Sequence, residues 1–157
     1  MTSIKKSSLP YILFIGIIML CTCCTSDEDN GWKTSSGIGS SDIVTDWTLS
    51  HEEVLEHIAG RHYTEEDGNI YLYGDSEKSM VGYGFSQGNL SCTTMLIPAD
   101  EIKDAWLADI KNGYRFIGNL SESTSVWRNT DKNTLMKIAS VEWDNIPYYQ
   151  IYWADAQ

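Results

Sequence analysis

Cations, cysteines and long apolar runs are scarce in this sequence, and each scarcity excludes something. Lysine and arginine number 11 against 22 aspartates and glutamates, giving a formal net charge of −11 and a pI near 4.5. Phosphate backbones repel such a chain, which excludes nucleic acid as a main partner and disfavours an anionic membrane surface in the same way. Three of the four cysteines crowd residues 21–24, and only Cys92 lies beyond them. A disulfide framework is therefore excluded, whatever the redox state of the compartment. Cys92 sits in an apolar strand pattern and reads as a small core residue. The long apolar run, Tyr11–Leu20, has ten residues. As a helix it reaches about 15 Å, half a hydrocarbon core, so it is not a bilayer span. Glycine loops of the P-loop or dinucleotide kind are missing. What is present is a foldable chain. With 157 residues, 42% hydrophobic and 11% aromatic, it has the length and apolar content of one domain with its own core.

Lys5 and Lys6 are the only charges ahead of residue 27, and the apolar run follows them. A basic start and a short apolar run have the layout of a secretory signal. Cys21-Thr22-Cys23-Cys24 comes next, followed by the acidic stretch Ser26-Asp27-Glu28-Asp29. Small residues and a cysteine directly after the apolar run resemble the lipobox of bacterial lipoproteins, whose cysteine becomes the lipidated first residue. Acids just behind it resemble the export signal of surface lipoproteins of Bacteroidota. The resemblance implies a signal peptide over residues 1–23, acylation of Cys24 with Cys23 as second choice, and an exported lipoprotein of the outer membrane or cell surface. Several acyl chains on one cysteine anchor firmly. Thr22 before Cys23, and Cys21 where leucine is preferred before Cys24, depart from the pattern. A cleaved signal without lipid stays open as the plainer reading. Cleavage before Cys24 would remove Lys5 and Lys6 but no acid, moving the net charge from −11 to −13.

Residues 24–45 are rich in Ser, Thr, Asp and Gly, with little apolar periodicity. They read as a flexible acidic, Gly-Ser tether. The folded part is expected over 46–157. Ser50-His51-Glu52-Glu53 spells a capping box, and Val54, Leu55 and Ile58 make an apolar stripe ahead of Gly60, which predicts a helix over 51–59. A second helix is expected after Pro98, capped by Asp100, with Ile102, Trp106 and Ile110 on one face and Asn112-Gly113 as its end. Elsewhere the period switches to two. Strands are expected at 68–74, 80–85, 90–97, 114–117, 125–128, 135–141 and 148–153, joined by clusters of Gly, Asn, Asp and Ser of hairpin length. Glu65-Glu66-Asp67 reads as a charged loop.

The two halves line up. Leu55 and Ile58 match Leu107 and Ile110, Tyr71-Leu72 match Val126-Trp127, and Met80-Val81 match Leu135-Met136. The expectation is an α+β domain of two tandem units, about 47–98 and 99–157, each a short helix packed on an antiparallel β-meander. This order, with Asp46-Trp47-Thr48-Leu49-Ser50 ahead of the first helix and Tyr83-Gly84-Phe85 ahead of a hairpin, resembles tandem helix-plus-sheet folds of the β-lactamase-inhibitor-protein type and the PepSY-like domains of exported bacterial proteins. The resemblance spans about 47–155 and is one of pattern, so it transfers no binding residue. It implies a protein-binding or accessory role rather than catalysis.

Chemistry-bearing motifs are few. Gly84-Phe85-Ser86-Gln87-Gly88 spells the nucleophile elbow of α/β-hydrolases. The residues after it alternate like a strand, His51, His57 and His62 all precede Ser86, and the chain lacks alternating βα units. A glycine-flanked hairpin is the competing reading. His51-Glu52 opens like a zinc helix, but position 55 is Leu. His51 and His57 would stand about 240° apart on a helix, unable to share a metal. Glu53 and His57 are an expected i,i+4 surface pair. Neither metal nor cofactor is expected.

Aromatics crowd the second half: Trp127, Trp143, Tyr148, Tyr149, Tyr152 and Trp153. Tyr148–Trp153 would place rings on both faces of one strand, so either the rings fill a thin core or one face is exposed for binding. The expectation is a non-catalytic, protein-binding accessory lipoprotein. The alternatives are a carbohydrate-binding accessory, a serine hydrolase using Ser86, and a purely structural envelope protein.

Overall fold

Three two-residue turns set the strand pairing. Asp67-Gly68 (φ 50° and 75°), Gln87-Gly88 (53° and 89°) and Asp144-Asn145 (50° and 59°) hold both central residues in the left-handed region. Such turns match the right-handed twist of the strands they join. The computed structural model describes residues 31–75 and 78–156. Eight strands, β1 (Tyr63–Glu66), β2 (Asn69–Tyr73), β3 (Met80–Ser86), β4 (Asn89–Pro98), β5 (Arg115–Ser121), β6 (Thr124–Asn129), β7 (Thr134–Trp143) and β8 (Ile146–Asp155), form one sheet in the order β1-β2-β3-β4-β8-β7-β6-β5. Every neighbouring pair is antiparallel. With two short helices, α1 (His51–His57) and α2 (Asp104–Lys111), the fold is α+β and mainly β.

Strand period places the core on one face. Leu72, Val81, Met95, Ile151 and Ile138 stand opposite one another across five strands, and Ile70, Tyr83, Thr93, Trp153, Met136 and Trp127 form the next row. Val54 and Ile58, Leu107 and Ile110, and three residues of the leading segment, Trp32, Ile38 and Val44, join the same buried cluster. The capping box forms as expected: Glu53 N–H donates to Ser50 Oγ at 3.3 Å, and Ser50 N–H to Glu53 Oε2 at 2.8 Å.

The tether expectation needs correction over residues 31–45, which lie folded against the core as a strap. Asp42 is 4% exposed. Its carboxylate accepts from Arg61 Nη1 and from Gly39 N–H, each at 2.8 Å, and Arg61 Nη2 reaches Gly37 O at 3.1 Å. Tyr83 Oη donates to Asp42 O at 2.8 Å, and Thr93 Oγ1 to Val44 O at 2.6 Å. Thr34 Oγ1 donates to Ile38 O at 2.8 Å. The small polar residues that read as a spacer close turns here instead. Residues 1–30, which include the expected signal peptide and the start of the tether, lie outside the described residues.

Three boundaries also differ from expectation. The first helix stops at His57, with Gly60 in the left-handed conformation at φ 79°. The second starts at Asp104, not after Asp100, because Glu101 N–H bonds Pro98 O and closes a turn first. Glu65 and Glu66 belong to edge strand β1, all four of whose residues are exposed.

Asp42→Ala should lower stability by about 2–4 kcal/mol, because it strands the Arg61 guanidinium and the Gly39 N–H beneath the strap. Urea midpoints measure this; an unchanged midpoint would make the strap a passive cover. Alkaline stability follows from two phenols. Burial, with Asp42 alongside, raises Tyr83 well above the ordinary phenol range, and burial pushes Tyr114 up to about 12. Unfolded phenols ionise near 10, so the folded chain holds these protons more tightly. Stability should be full below about pH 10 and fall as pH rises from there through about 12. The fall should flatten in a Tyr83→Phe, Tyr114→Phe variant.

Candidate functional site

The helices and the strap all pack on one face of the sheet, and the opposite face is left open among the described residues. Cross-strand register maps it row by row. One row runs Arg115, Arg128, Leu135, Ala154, Cys92, Gly84, and the next Gly118, Val126, Lys137, Tyr152, Thr94, Gly82, Tyr71. The third carries Ala139, Gln150, Leu96, Met80 and Tyr73, and beyond it Val141 and Pro98 flank Tyr148. Trp143, at the end of β7, is 61% exposed, and its ring centroid lies 6.4 Å from that of Tyr148. Leu135 and Val141 are also exposed. The Lys137 ammonium lies 5.6 Å from the centre of the Tyr152 ring. Burial, together with the Cys92 thiol beside it, raises the Tyr152 phenol.

The six aromatics singled out in the sequence divide between the faces. Tyr148, Tyr152 and Trp143 stand on the open face, Tyr148 itself being only 5% exposed. Trp153, at 1% exposure, is core. Tyr149 is half-buried against the core. Trp127 lies on the helix side, where its Nε1 donates to Ser125 Oγ at 3.0 Å and its ring meets Phe116 edge-on. Sequence reasoning passed over Tyr71, Tyr73, Met80, Leu96, Leu135 and Val141. The period of two was the signal that could have found all but Val141, since each of the others alternates with a core residue.

A groove of about 250 Å³ crosses the β2–β4 end of the open face, floored by Gly82 and Gly84 between Tyr71 and Cys92. A Cβ on Gly84 would meet Cys92 Sγ at 2.6 Å, so glycine is required there for the strands to approach. A larger cleft of about 570 Å³ lies elsewhere, where Trp47 stands beside Asp46, Asn89, Lys132, Asn133 and Asp155. Its groups are tied together: Trp47 Nε1 donates to Thr134 Oγ1 at 3.1 Å, and Asn133 Nδ2 to Asp155 Oδ1 at 2.8 Å. Hydrogen bonds from the Thr48 hydroxyl and backbone hold the Asp46 carboxyl below its ordinary pKa.

Ser86 ends β3 immediately before the Gln87-Gly88 turn, so Gly84–Gly88 is a β-hairpin and not a strand-to-helix elbow. His51 Nε2 lies 3.1 Å from Glu65 Oε2 and its ring packs 5.0 Å from that of Phe85. His57 Nε2 lies 2.8 Å from Ser41 O, and the Glu53 carboxylate accepts the Ser50 N–H, so the expected Glu53–His57 pair gives way to capping. Among the described residues no three His, Cys, Asp or Glu side chains are grouped to hold a metal, and no helix is long and apolar enough to cross a membrane. Cys23, Cys24, Ser26, Asp27, Glu28 and Asp29 lie outside the described residues.

No protein-family model, curated protein or solved structure matches this chain.

The division of faces has a measurable consequence. Trp153→Ala should lose about 3–5 kcal/mol of stability by emptying the centre of the core, whereas Trp143→Ala should change it by less than about 0.5 kcal/mol. Comparable losses in both variants would mean that Trp143 is packed and the face is not open.

Proposed function

We propose that this chain is a lipid-anchored, exported accessory protein that binds another protein on the open face of its sheet and performs no catalysis. The observation that carries the reading is the uncovered face. Soluble monomers rarely leave a contiguous aromatic and apolar patch without a use for it. Here Trp143, Tyr152, Leu135, Val141 and Leu96 share one face of one rigid sheet. Exposed tryptophan and tyrosine are the residues that anchor protein interfaces.

Topology supports the tandem reading. Each half runs helix, then a four-strand meander, and positions paired from the sequence share faces: Tyr71 with Val126 and Met80 with Leu135 on the open face, Leu72 with Trp127 and Val81 with Met136 towards the helices. That arrangement supports the resemblance to the β-lactamase-inhibitor-protein and PepSY-like types. The lipobox-like cysteines and the acids behind them support an anchor at Cys24, or else Cys23, and placement in the outer membrane or at the cell surface. The Trp47 cleft favours a second reading, an accessory that holds carbohydrate, since an indole among amides and carboxylates suits a sugar.

Affinity capture from a detergent extract of the cell envelope tests the first reading. A specific protein should be retained by the full chain and lost in Trp143→Ala, Tyr152→Ala. Retention by that variant, or loss only in Trp47→Ala with glycans as the captured material, moves the function to the cleft. Metabolic labelling with a fatty-acid analogue should mark the chain and fail to mark Cys24→Ser; label that persists in Cys24→Ser and disappears in Cys23→Ser relocates the anchor.

A further inference from the structure

The open face differs from the rest of the molecule in charge. Every lysine and arginine within the eight strands, Arg115, Arg128 and Lys137, falls on it, and the strand acid that joins them there is Glu66, five strands beyond Lys137 on the far edge. The chain as a whole carries −11. Arg115 and Arg128 are direct cross-strand partners, and like charges so placed destabilise a sheet. Among the described residues the ion pairs are His51–Glu65 and Arg61–Asp42, and none of the three cations takes part in one. A neighbouring row holds Lys137 over Tyr152, with Val126 opposite it and Leu135 next along its strand.

We propose that the β5–β7 end of the open face recognises an acidic segment of a partner protein, its carboxylates held by Arg115 and Arg128 and its apolar side chains laid on Leu135 and Tyr152, in the same row and the next. The inference rests on the protein-binding reading and names the partner's chemistry. Two arginines side by side match carboxylates in the two-pronged geometry that the guanidinium favours. A short acidic segment fits better than a long polyanion. Screening confines the attraction to about 8 Å at physiological salt, and the acid surplus elsewhere repels whatever extends past the patch. Open-face rows follow each other about 7 Å apart along a strand, the spacing of residues two apart in an extended chain, so a segment with an acid at one position and an apolar residue two positions on can meet the cationic row and the Tyr152 row in turn.

The test is a titration of the full chain with a short peptide whose every second residue is serine and whose remaining positions take glutamate, leucine, glutamate and phenylalanine in turn, so that acid and apolar side chains share one face when it is extended. A twin peptide has glutamine for glutamate, and vesicles of phosphatidylglycerol in phosphatidylcholine run beside both. The glutamate peptide should bind, should weaken as salt rises, and should bind about tenfold more tightly than its twin. Arg115→Gln, Arg128→Gln should lose about the same factor while melting no lower than the parent, since the change relieves repulsion. A purely structural pair would lower the melting temperature. Equal binding of both peptides, lost in Trp143→Ala, Tyr152→Ala, would overturn the acidic partner and leave the open-face reading standing. Charge-dependent binding that survives both Arg115→Gln, Arg128→Gln and Trp143→Ala, Tyr152→Ala would remove the open-face reading itself. Binding to neither peptide, or to vesicles alone, overturns the proposal.

Discussion

Strands β4 and β8, distant in sequence, pair from Cys92 opposite Ala154 to Pro98 opposite Tyr148, and the rest of the structure is arranged around that seam. It joins two four-strand meanders into a single sheet, so the sheet has two broad faces and very little chain with which to cover them. Helix α1 has seven residues and α2 has eight, about 10–12 Å each. Their apolar stripes converge on one face, where Met95 meets Ile151 and Thr93 meets Trp153 across the seam. Covering a second face would need another layer. The uncovered aromatics follow from this economy of chain as much as from their own chemistry.

Even the covered face needs more than two short helices, and the strap supplies the remainder. Trp32 stacks on Trp106 of α2 at 5.5 Å between ring centres, while Ile38 and Val44 fill the β2–β4 side of the core. Holding an extended segment in place takes directional bonds. Asp42 provides them: a nearly buried carboxylate paired with Arg61, its own carbonyl taken by the Tyr83 hydroxyl. Such a pair adds little net stability against an apolar substitute, since both charges lose water. Its effect is to fix where the strap lies. The strap thereby ties the turn after α1, through Arg61, to strand β3, through Tyr83.

Much of this was legible in the sequence wherever local chemistry decides. Ser50 and Glu53 cap a helix by short-range bonds, and the alternation from Asn89 to Ile97 is that of a strand with one buried face. Asp67-Gly68 and Gln87-Gly88 are turn dipeptides, although the strand before the first, Tyr63–Glu66, escaped notice because an exposed edge strand has no core side to pattern. Long-range effects were hidden. Residues 31–45 carry spacer composition, and only the distant partners Arg61, Tyr83 and Thr93 make them structure. In Tyr148–Trp153 both faces are aromatic, so periodicity alone could not say which side met the helices. The pairing of β8 between β4 and β7 decides it. The open face combines strands from both halves, and no local window contains it.

Cations on a sheet have an ordinary use that competes with ligand binding: they discourage an edge strand from pairing with another chain. Arg115 lies on edge strand β5, whose Phe116, Ile117 and Leu120 are exposed and whose register slips twice against β6. Both features suit protection of an apolar edge. Edge protection does not extend to Arg128 or Lys137. Strands β6 and β7 are paired on both sides, and a charge on their open face guards no free backbone. Nor does solubility account for them, because the chain already carries an excess of the opposite sign. A like-charged pair kept at about 0.2–1 kcal/mol of cross-strand repulsion, reaching from the edge into interior strand β6 and one row from the Tyr152 ring, is the kind of local conflict that functional sites retain.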